Sequence, residues 1–492
     1  MRVKDYITNV ISSNLEVCFS IPGDYNLELL DSIDKTGMKH VHCTNELNMS
    51  YIADGYARTT GFGVFITTFS VGGLSAINGI AGSYAENVPV LHISCGPKES
   101  KDRVFHHTIG KVDVSYVEKI YNNVTVFSKR IINPSKVPYF LVKAIEYMKH
   151  YKKPAYIEIP SNILNTEIGD IKIIKPRISK HDFSILDKKL YEKAKRPIII
   201  LGKQNGKVQK LPCPVCCLPN AKGYYNEESS SYLGIYWESI SDPGVKEAVA
   251  KADLIIYLGC LLNDYNTCGF TNKTQNSIMV DKIEDLEEKM WISRKKEKYT
   301  EKKKFCLESL TQTVDKYITS NTTIIAETGT SWMTCLEMKL KKNTQFEIQM
   351  QYGSIGWSLG AAMGCYLGNP KNMMMLFIGD GSFQMTAQEI STMIRYKMKG
   401  IIFLINNKGY VIEDAIHKGE YNKLNNWDYP SFFESIGGKN VETITTVKKL
   451  KESLDKAFSK RDLYFFNCII SNDDIQHKLV KWGKIVGKFN KL

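Results

Sequence analysis

The stretch from residue 373 to 413 constrains the fold more than any other part of the chain. Its apolar run Met373–Ile378 is too short for a helix and leads into Gly-Asp-Gly-Ser, which indicates a buried strand that enters a tight turn. The pattern then predicts a helix from Thr386 to Tyr396 and a second buried strand from Ile401 to Ile405, which two asparagines follow. Two strands joined by one crossover helix predict a parallel α/β sheet.

The polar residues at the ends of these two strands form a candidate cation and phosphate site. Asp380 and Asn407 leave the carboxyl ends of the strands, and ligands of open α/β sheets bind at that edge. A hard divalent cation takes oxygen ligands, which Asp380, the Asn407 amide and the Gly409 carbonyl can supply. The N-terminus of the crossover helix suits a phosphate that approaches over the side-chain-free Gly381. A plain turn, in which glycine and asparagine serve only the backbone, is the alternative.

The order strand, GDGS, helix, strand, NN resembles the cofactor motif of the thiamine diphosphate enzymes. The segments QEISTMIR, NNKGYVIE and IHKGEYNKLNNWDY extend this resemblance to the 2-oxo acid decarboxylases, closest to the pyruvate decarboxylase branch, with indolepyruvate decarboxylase a near relative. The resemblance implies that Asp380, Asn407 and the Gly409 carbonyl hold Mg²⁺. It also implies that Gly381 and Ser382 bind the cofactor, thiamine diphosphate, with Ser382 facing its diphosphate.

The chain is too long for one hydrophobic core, since it has 492 residues. With the resemblance, we expect three doubly wound α/β domains with parallel sheets. Residues 1–165 would bind the pyrimidine, 166–315 would form a shortened central domain with its linker, and 316–492 would bind diphosphate and magnesium. The linker is predicted between about Ser161 and Asp187. In the central domain, PIIILG, LPCPVCC and ADLIIYLG are predicted strands, and the first two are too close for a crossover helix.

Local patterns predict the elements that carry further candidate residues. A strand at Val17–Ser20 places Asp24 beyond its carboxyl end, and a helix from Asn45 to Arg58, capped by Asn45, places Glu46 at its N-terminus. Further predictions are strands at Lys39–Cys43, Val64–Thr68, Val90–Ser94, Ala155–Ile159 and Tyr464–Ile470, and helices at Leu27–Ser32 and Lys449–Phe458.

Composition favours a cytoplasmic protein over a membrane, secreted or nucleic-acid-binding one. No run of 18 apolar residues occurs, and the N-terminus lacks the pattern of a secretory signal. The 12 cysteines have no repeated spacing, and the CPVCC string lacks a second ligand pair, so reduced structural thiols are expected. The net charge of +13 lies in mixed-sign segments without a nucleic-acid motif.

Glu46 is the first catalytic candidate. Its segment TNELNMSYIADGYAR matches the family glutamate that hydrogen-bonds the aminopyrimidine ring and so promotes loss of the C2 proton. A carboxyl buried against an apolar ring has a raised pKa and can share that proton. Without the resemblance, Glu46 would be a helix-start glutamate that the dipole favours. By the same resemblance, the Gly353 carbonyl and the Ile355 side chain hold the bent cofactor, and Thr330 is a further cofactor contact.

Four polar residues match the family's proton-transfer cluster: Asp24, His106, His107 and Glu413. The resemblance implies non-oxidative decarboxylation through a C2 carbanion and an enamine, which needs a proton supplied and later a hydroxyl deprotonated. The alternatives are a metal-binding or loop histidine pair and, for Glu413, a surface charge.

Bulky side chains near the reacting centre would select small substrates. The wall candidates Tyr265, Thr328, Trp332, Ile412 and Ile416 resemble those of pyruvate-selective members, so we expect pyruvate to give acetaldehyde and CO₂. Decarboxylation of indolepyruvate or phenylpyruvate, carboligation, and an inactive scaffold relative are the alternatives. The family arrangement implies a homodimer with active sites at the subunit interface, and possibly a tetramer of two dimers.

Overall fold

A computed structural model describes residues 1–169, 171–172, 184–204, 206–294 and 300–490. Three separate β-sheets follow one another along the chain, and every paired strand in them is parallel. This confirms the predicted fold class. Residues 170 and 173–183, which form much of the predicted linker, lie outside the described residues, and the predicted domain boundaries stay a prediction. Among the described helices, none has the length and apolar character needed to cross a membrane.

The first sheet has the strand order β2-β1-β3-β4-β6-β5. Its strands are β1 Val17–Ser20, β2 Lys39–His42, β3 Gly63–Thr68, β4 Val90–Gly96, β5 Phe127–Arg130 and β6 Ala155–Pro160. The accompanying helices are α1 Val3–Ser12, α2 Leu27–Asp34, α3 Glu46–Thr60, α4 Val71–Ala85, α5 Tyr116–Tyr121 and α6 Val137–Tyr151. The predicted strands are present, and β5 is a strand that the sequence analysis missed.

The second sheet has the order β11-β10-β7-β8-β9. Its strands are β7 Pro197–Leu201, β8 Val215–Cys217, β9 Tyr232–Ile235, β10 Leu254–Leu258 and β11 Ser277–Val280, and its helices are α7 Lys188–Lys193 and α8 Val245–Lys251. Strands β7 and β8 are parallel neighbours, and the described residues between them, 202–204 and 206–214, contain no α-helix, as their short separation predicts. The three cysteines of the CPVCC string are buried free thiols, which agrees with a structural role.

The third sheet repeats the order of the first, β13-β12-β14-β15-β17-β16. Its strands are β12 Thr322–Ala326, β13 Gln345–Ile348, β14 Met373–Gly379, β15 Gly400–Asn406, β16 Asn440–Ile444 and β17 Leu463–Ile469. The helices are α9 Leu307–Val314, α10 Thr330–Leu336, α11 Trp357–Gly368, α12 Asp380–Thr386, α13 Ile390–Arg395, α14 Val411–Ile416, α15 Tyr429–Ser435, α16 Val447–Lys460 and α17 His477–Phe489.

The crossover between β14 and β15 differs from its prediction. The Gly-Asp-Gly-Ser segment does not form a tight turn. Strand β14 ends at Gly379, and α12 begins at the next residue, Asp380. The predicted helix from Thr386 to Tyr396 is divided into a 3₁₀ turn at Ala387–Glu389 and α13. Asp380 is therefore the first residue of the helix and lies at the strand's end at the same time.

The chain divides into two compact units. The first comprises Met1–His181, Tyr352–Pro370 and Thr386–Met398, and the second comprises Asp182–Gln351, Lys371–Met385 and Lys399–Leu492. Helix α11 and the segment with α13 therefore belong to the unit that contains the first sheet, although the chain reaches them only after the third sheet has begun.

Glycines allow α11 to approach α3 closely within the first unit. A Cβ on Gly364 would lie under 3.0 Å from the backbone oxygen of Ile52, and a Cβ on Gly55 would lie equally close to the backbone of Ala361. The Trp357 indole also donates to the Asp54 carboxylate over 2.9 Å, and Arg58 stacks on that indole 4.7 Å from the ring centre. Backbone contact, the indole hydrogen bond and the stacked guanidinium thus fix α11 on α3.

Replacement of Gly364 by Ala is expected to destabilise the protein. The added methyl group has backbone atoms in its place, and overpacking of this kind costs about 1–3 kcal/mol. Gly73→Ala is the control, because a Cβ there would meet its nearest atom at 3.8 Å and the substitution removes a helix glycine. Thermal unfolding should show a lower midpoint for Gly364→Ala and an unchanged or higher one for Gly73→Ala. Equal midpoints for the two variants would contradict this packing.

Candidate active site

Asp380 connects the ends of two neighbouring strands of the third sheet. Its Oδ1 accepts the N–H of Gly381 over 2.8 Å, and its Oδ2 accepts the N–H of Lys408 over 2.5 Å. Lys408 has a φ of 64°, a left-handed conformation that costs a non-glycine residue energy and occurs preferentially at functional sites. Because Gly379 is paired with Ile405, the following Asp380 and Asn407 lie at the same edge of the sheet, as predicted.

The Asp380 carboxylate is only 1% exposed. Burial raises its pKa to about 6, although backbone N–H groups of Lys408, Gly381, Gly409 and Asn407 act in the opposite direction. A buried carboxylate with such a pKa is costly to keep ionised at neutral pH. A cation at this edge would remove that cost, and the buried Asn407 offers an amide oxygen for it.

Glycines shape the surroundings of Asp380. The space beside Gly381 contains the ring of Tyr410, since a Cβ there would lie under 3.0 Å from that ring. Gly379 is the open position, because a Cβ there would have no neighbouring atom within 4 Å. Gly409 lies against the Asn422 carbonyl, and Ser382 is buried in the first turn of α12. An anionic group therefore finds its free approach at Gly379 rather than at Gly381.

A small cavity lies next to the end of β12 in the second unit. It has a volume of about 10 Å³, room for about one water-sized group, and is lined by Tyr265, Ala326, Thr328, Trp332, Ile348, Gln349 and Met350. Three of the five predicted wall residues are among them. Ile412 instead packs at Gly329, where an added Cβ would lie 3.3 Å from its Cγ2, and Ile416 packs on the hydrophobic cluster that includes α17.

An aromatic group surrounds Trp332. Its ring centre lies 5.5 Å from that of Trp237 and 6.2 Å from that of Trp482, and Trp482 lies 4.9 Å from Tyr265. The sequence analysis missed Trp237 and Trp482, because they come from distant parts of the chain and no local pattern joins them. Trp237 and Trp482 thus pack against the two rings that line the cavity, Tyr265 and Trp332, and make that side rigid.

Glu413 lies in the first turn of α14 and is exposed. Its charge reaches the cavity, since burial raises the pKa of Tyr265 and the charges of Asp264 and Glu413 raise it further. Helix α17 packs on α14, because a Cβ on Gly483 would lie 2.6 Å from the Ala415 carbonyl oxygen. The C-terminal helix therefore helps to set the position of Glu413.

In the first unit, Glu46 is the first residue of α3. Asn45 caps this helix by accepting the N–H of Asn48 over 2.8 Å, as predicted. Glu46 is half-buried, and its Oε1 lies near Gly72, where an added Cβ would be only 3.0 Å away. The absence of a side chain at Gly72 therefore leaves room for the Glu46 carboxylate.

Glu389 is a buried carboxylate that the sequence analysis did not single out. It accepts hydrogen bonds from the backbone N–H of Thr44 over 3.3 Å, from the Thr44 hydroxyl, and from the Asn48 amide over 2.9 Å. These residues flank Glu46, so Glu389 holds the start of α3 in place. It belongs to the QEISTMIR segment, and its local signal was only that of a helix residue.

Asp24, His106 and His107 lie together at the exposed surface of the first unit. His106 Nε2 lies 2.5 Å from Asp24 Oδ2, and His107 Nε2 lies 3.4 Å from Asp24 Oδ1. The Tyr25 hydroxyl lies 3.3 Å from His106 Nδ1. Three of the four residues predicted for proton transfer are thus in contact with one another.

Gly353 and Ile355 belong to the loop before α11, in the same unit as Glu46. Ser354 fixes this loop, since its hydroxyl lies 2.6 Å from the Tyr51 hydroxyl and accepts the Asn78 amide over 3.1 Å. Gly353 has a φ of 66°, which favours glycine there. Thr330 begins α10 in the second unit and is buried. The predicted site residues thus form two groups, one in each unit, and their joint action stays a prediction.

Comparison with known proteins identifies each part of the chain. Residues 1–116 match the N-terminal TPP binding domain of thiamine pyrophosphate enzymes, 189–285 the central domain, and 327–468 the C-terminal TPP binding domain. A probable pyruvate decarboxylase of Schizosaccharomyces pombe is 35% identical, over 100% of this chain and 97% of its own length. Pyruvate decarboxylase 4 of Arabidopsis thaliana is 33% identical over 98% of this chain and 90% of its own length. A pyruvate decarboxylase of Neurospora crassa is 32% identical over 96% of this chain and 93% of its own length.

The raised pKa of Asp380 predicts a specific pH dependence of stability. Between the ordinary value of 3.8 and about 6, the folded protein holds a proton on Asp380 that the unfolded chain has lost, so acidification through this window stabilises the fold. In EDTA, thermal unfolding of the wild type and of Asp380→Asn is compared at pH 7.5 and 4.5. On acidification, the free energy of unfolding of the wild type should rise by about 2 kcal/mol relative to that of the variant. Parallel pH profiles would show that Asp380 is not desolvated in this way.

Proposed function

We propose, because this chain belongs to the thiamine pyrophosphate (thiamine diphosphate) enzyme family, that it is a decarboxylase of 2-oxo acids with pyruvate as its main substrate. The products are acetaldehyde and CO₂. The observation that carries this proposal is the small aromatic cavity beside the end of β12, which has room for a short side chain only. The relatives described above, which are named as pyruvate decarboxylases, support the same substrate.

The residues at the end of the third sheet fit a magnesium-bound diphosphate. Asp380 is a buried carboxylate whose ionised form is costly without a counter-charge, and Asn407 and the Gly409 carbonyl add neutral oxygens of the kind that Mg²⁺ prefers. Gly379 leaves free space beside them, and Ser382 and Thr330 offer hydroxyl groups on the first turns of α12 and α10. We assign Asp380, Asn407 and Gly409 to Mg²⁺, and Ser382 and Thr330 to the diphosphate, which approaches at Gly379 because Tyr410 fills the space beside the predicted Gly381.

Glu46 holds and exchanges a proton with the pyrimidine ring. When bound, thiamine diphosphate supplies an electron sink for the electron pair released as CO₂ leaves the substrate. The Asn45 cap and the Glu389 carboxylate support this role by fixing the residues on either side of Glu46. The Gly353 carbonyl and the Ile355 side chain, at the start of α11, orient the ring, and the hydrogen bonds of Ser354 support the loop that carries them.

Asp24, His106, His107 and Glu413 handle the remaining protons. Conversion of a 2-oxo carboxylate to an aldehyde and CO₂ takes up one proton, and release of the product needs the removal of a hydroxyl proton. The contact of Asp24 with both imidazoles supports a relay in which a proton is donated and then recovered. The charge of Glu413 at Tyr265 supports a place for this carboxylate at the substrate cavity.

A homodimer would complete these sites, with the first domain of one protomer facing the third domain of the other. Asp24, His106, His107 and Glu413 are all exposed in the single chain, and a proton relay works best where a second surface excludes water. Two such dimers would form a tetramer. We place the enzyme in the cytoplasm, where its free cysteines would stay reduced.

The decisive experiment measures CO₂ release from pyruvate by the purified protein with and without thiamine diphosphate and Mg²⁺. We expect turnover only when both are present, and a kcat/KM for indolepyruvate and phenylpyruvate at least tenfold lower, because the aromatic wall excludes large side chains. Faster turnover of indolepyruvate or phenylpyruvate would show that an aromatic 2-oxo acid, and not pyruvate, is the main substrate. No CO₂ from any 2-oxo acid, or carboligation alone, would refute the decarboxylase function.

Glu46→Gln is the matched test of mechanism in the same assay. It keeps the shape of the side chain and removes the proton-accepting carboxylate, so turnover should fall by about 10²–10⁴ while thiamine diphosphate still binds. Glu247→Gln is the control, since Glu247 is also in the first turn of a helix, α8, and should turn over like the wild type. Unchanged turnover of Glu46→Gln would remove Glu46 from the mechanism.

A further inference from the structure

The cluster of Asp24, His106 and His107 has a second chemical property besides proton transfer. The ligand atoms of these three side chains all lie within 4.8 Å of one another. In the single chain their side chains are 49%, 59% and 38% exposed, so solvent ions reach all three before the proposed dimer covers them. No other group of three or more His, Cys, Asp or Glu side chains among the described residues is arranged in this way.

Two imidazoles and one carboxylate are a preferred donor set of transition metals. At zinc–ligand distances of about 2.0–2.2 Å, neighbouring ligand atoms of a tetrahedral site lie about 3.3–3.6 Å apart. The 3.4 Å between His107 Nε2 and Asp24 Oδ1 already fits that separation. The 2.5 Å between His106 Nε2 and Asp24 Oδ2 must lengthen by about 1 Å, which rotation of exposed side chains allows.

Tyr25 orients His106 in the way that a metal ligand needs. Its hydroxyl lies 3.3 Å from His106 Nδ1, and the two rings stack with centres 4.8 Å apart and planes 14° from parallel. His106 Nε2 therefore faces Asp24, and the other ring nitrogen has a hydrogen-bond partner, as is usual for histidines that bind metals. His107 has a φ of 58°, a left-handed conformation that turns its ring toward the same carboxylate.

We propose that Asp24, His106 and His107 bind one divalent transition metal ion, with Zn²⁺ as the preferred ion, and that this ion reversibly inhibits the enzyme. The inhibition rests on the proposed function, because the ion occupies the groups assigned to proton transfer, whereas the binding does not. Mg²⁺ is a poor occupant, since it prefers oxygen ligands and keeps most of its water. The site is therefore distinct in chemistry from the oxygen ligands around Asp380.

Binding is tested first on the full chain, stripped with EDTA and kept without cofactor. Zn²⁺ is titrated in competition with a chromophoric chelator, and Co²⁺ absorption reports the coordination. The wild type should bind one more equivalent than His106→Gln and Asp24→Asn, and Tyr25→Phe should bind it about 10–100-fold more weakly. His477→Gln, at the exposed start of α17, is the control and should bind like the wild type. Equal stoichiometry in the wild type, His106→Gln and Asp24→Asn would overturn the proposal.

Inhibition is tested on the enzyme loaded with thiamine diphosphate and Mg²⁺. Zn²⁺ should inhibit the wild type and His477→Gln alike, EDTA should restore activity, and Tyr25→Phe should need about 10–100-fold more Zn²⁺. Relief by excess Mg²⁺ would place the inhibitory ion at Asp380 and overturn the inhibition. Zn²⁺ binding with the expected variant pattern in a protein without decarboxylase activity would support the metal site and refute the proposed function. Decarboxylase activity in a protein that binds no additional equivalent of Zn²⁺ would support the proposed function and refute the metal site.

Discussion

The proposed cofactor site at the third sheet depends on the hydrogen bonds of the buried Asp380 carboxylate. This carboxylate accepts N–H groups from the first turn of α12, which follows β14, and from the turn after β15, and so it holds two strand ends at a fixed separation. It does this while almost fully buried, and burial raises its pKa to about 6. Near neutral pH, the ionised form of this buried carboxylate costs free energy. A bound cation that prefers oxygen ligands offsets that cost. The proposed magnesium and diphosphate contacts follow from this one constraint.

The first and third sheets share one strand order, and this order explains where candidate residues occur. In both sheets, the second strand lies on one side of the first strand and the third strand lies on its other side. Open α/β sheets bind ligands at this switch in strand order, beyond the carboxyl ends of the strands. Asp24 and Gly72 follow β1 and β3 in the first sheet, while Thr328 and Asp380 follow β12 and β14 in the third. In the second sheet the ends of β7 and β10 approach each other closely, because a Cβ on Gly202 would lie under 3.0 Å from Gly259.

Local patterns in the sequence were sufficient for the parts of the site that depend on neighbouring residues. The strand before Asp380 and the Asn45 cap of α3 follow from apolar runs and capping chemistry, and both are confirmed. The helical start at Asp380 was missed, since Gly-Asp-Gly-Ser favours a turn locally, whereas in the structure the Asp380 carboxylate accepts backbone N–H groups of α12 and of the loop after β15. Trp482 and Glu389 were missed for a different reason: their partners are more than a hundred residues away, and packing over that distance leaves no periodic signal.

The central claim is that Asp380 anchors the cofactor through a divalent cation. Calorimetric titration of thiamine diphosphate into the cofactor-free protein, with Mg²⁺ or with EDTA, tests this most directly for the wild type, Asp380→Ala and the exposed-surface control Glu452→Ala. We predict one equivalent bound per chain by the wild type and the control in Mg²⁺, and an affinity at least tenfold lower in EDTA or in Asp380→Ala. The same affinity for all three proteins, with Mg²⁺ and with EDTA, would contradict the account.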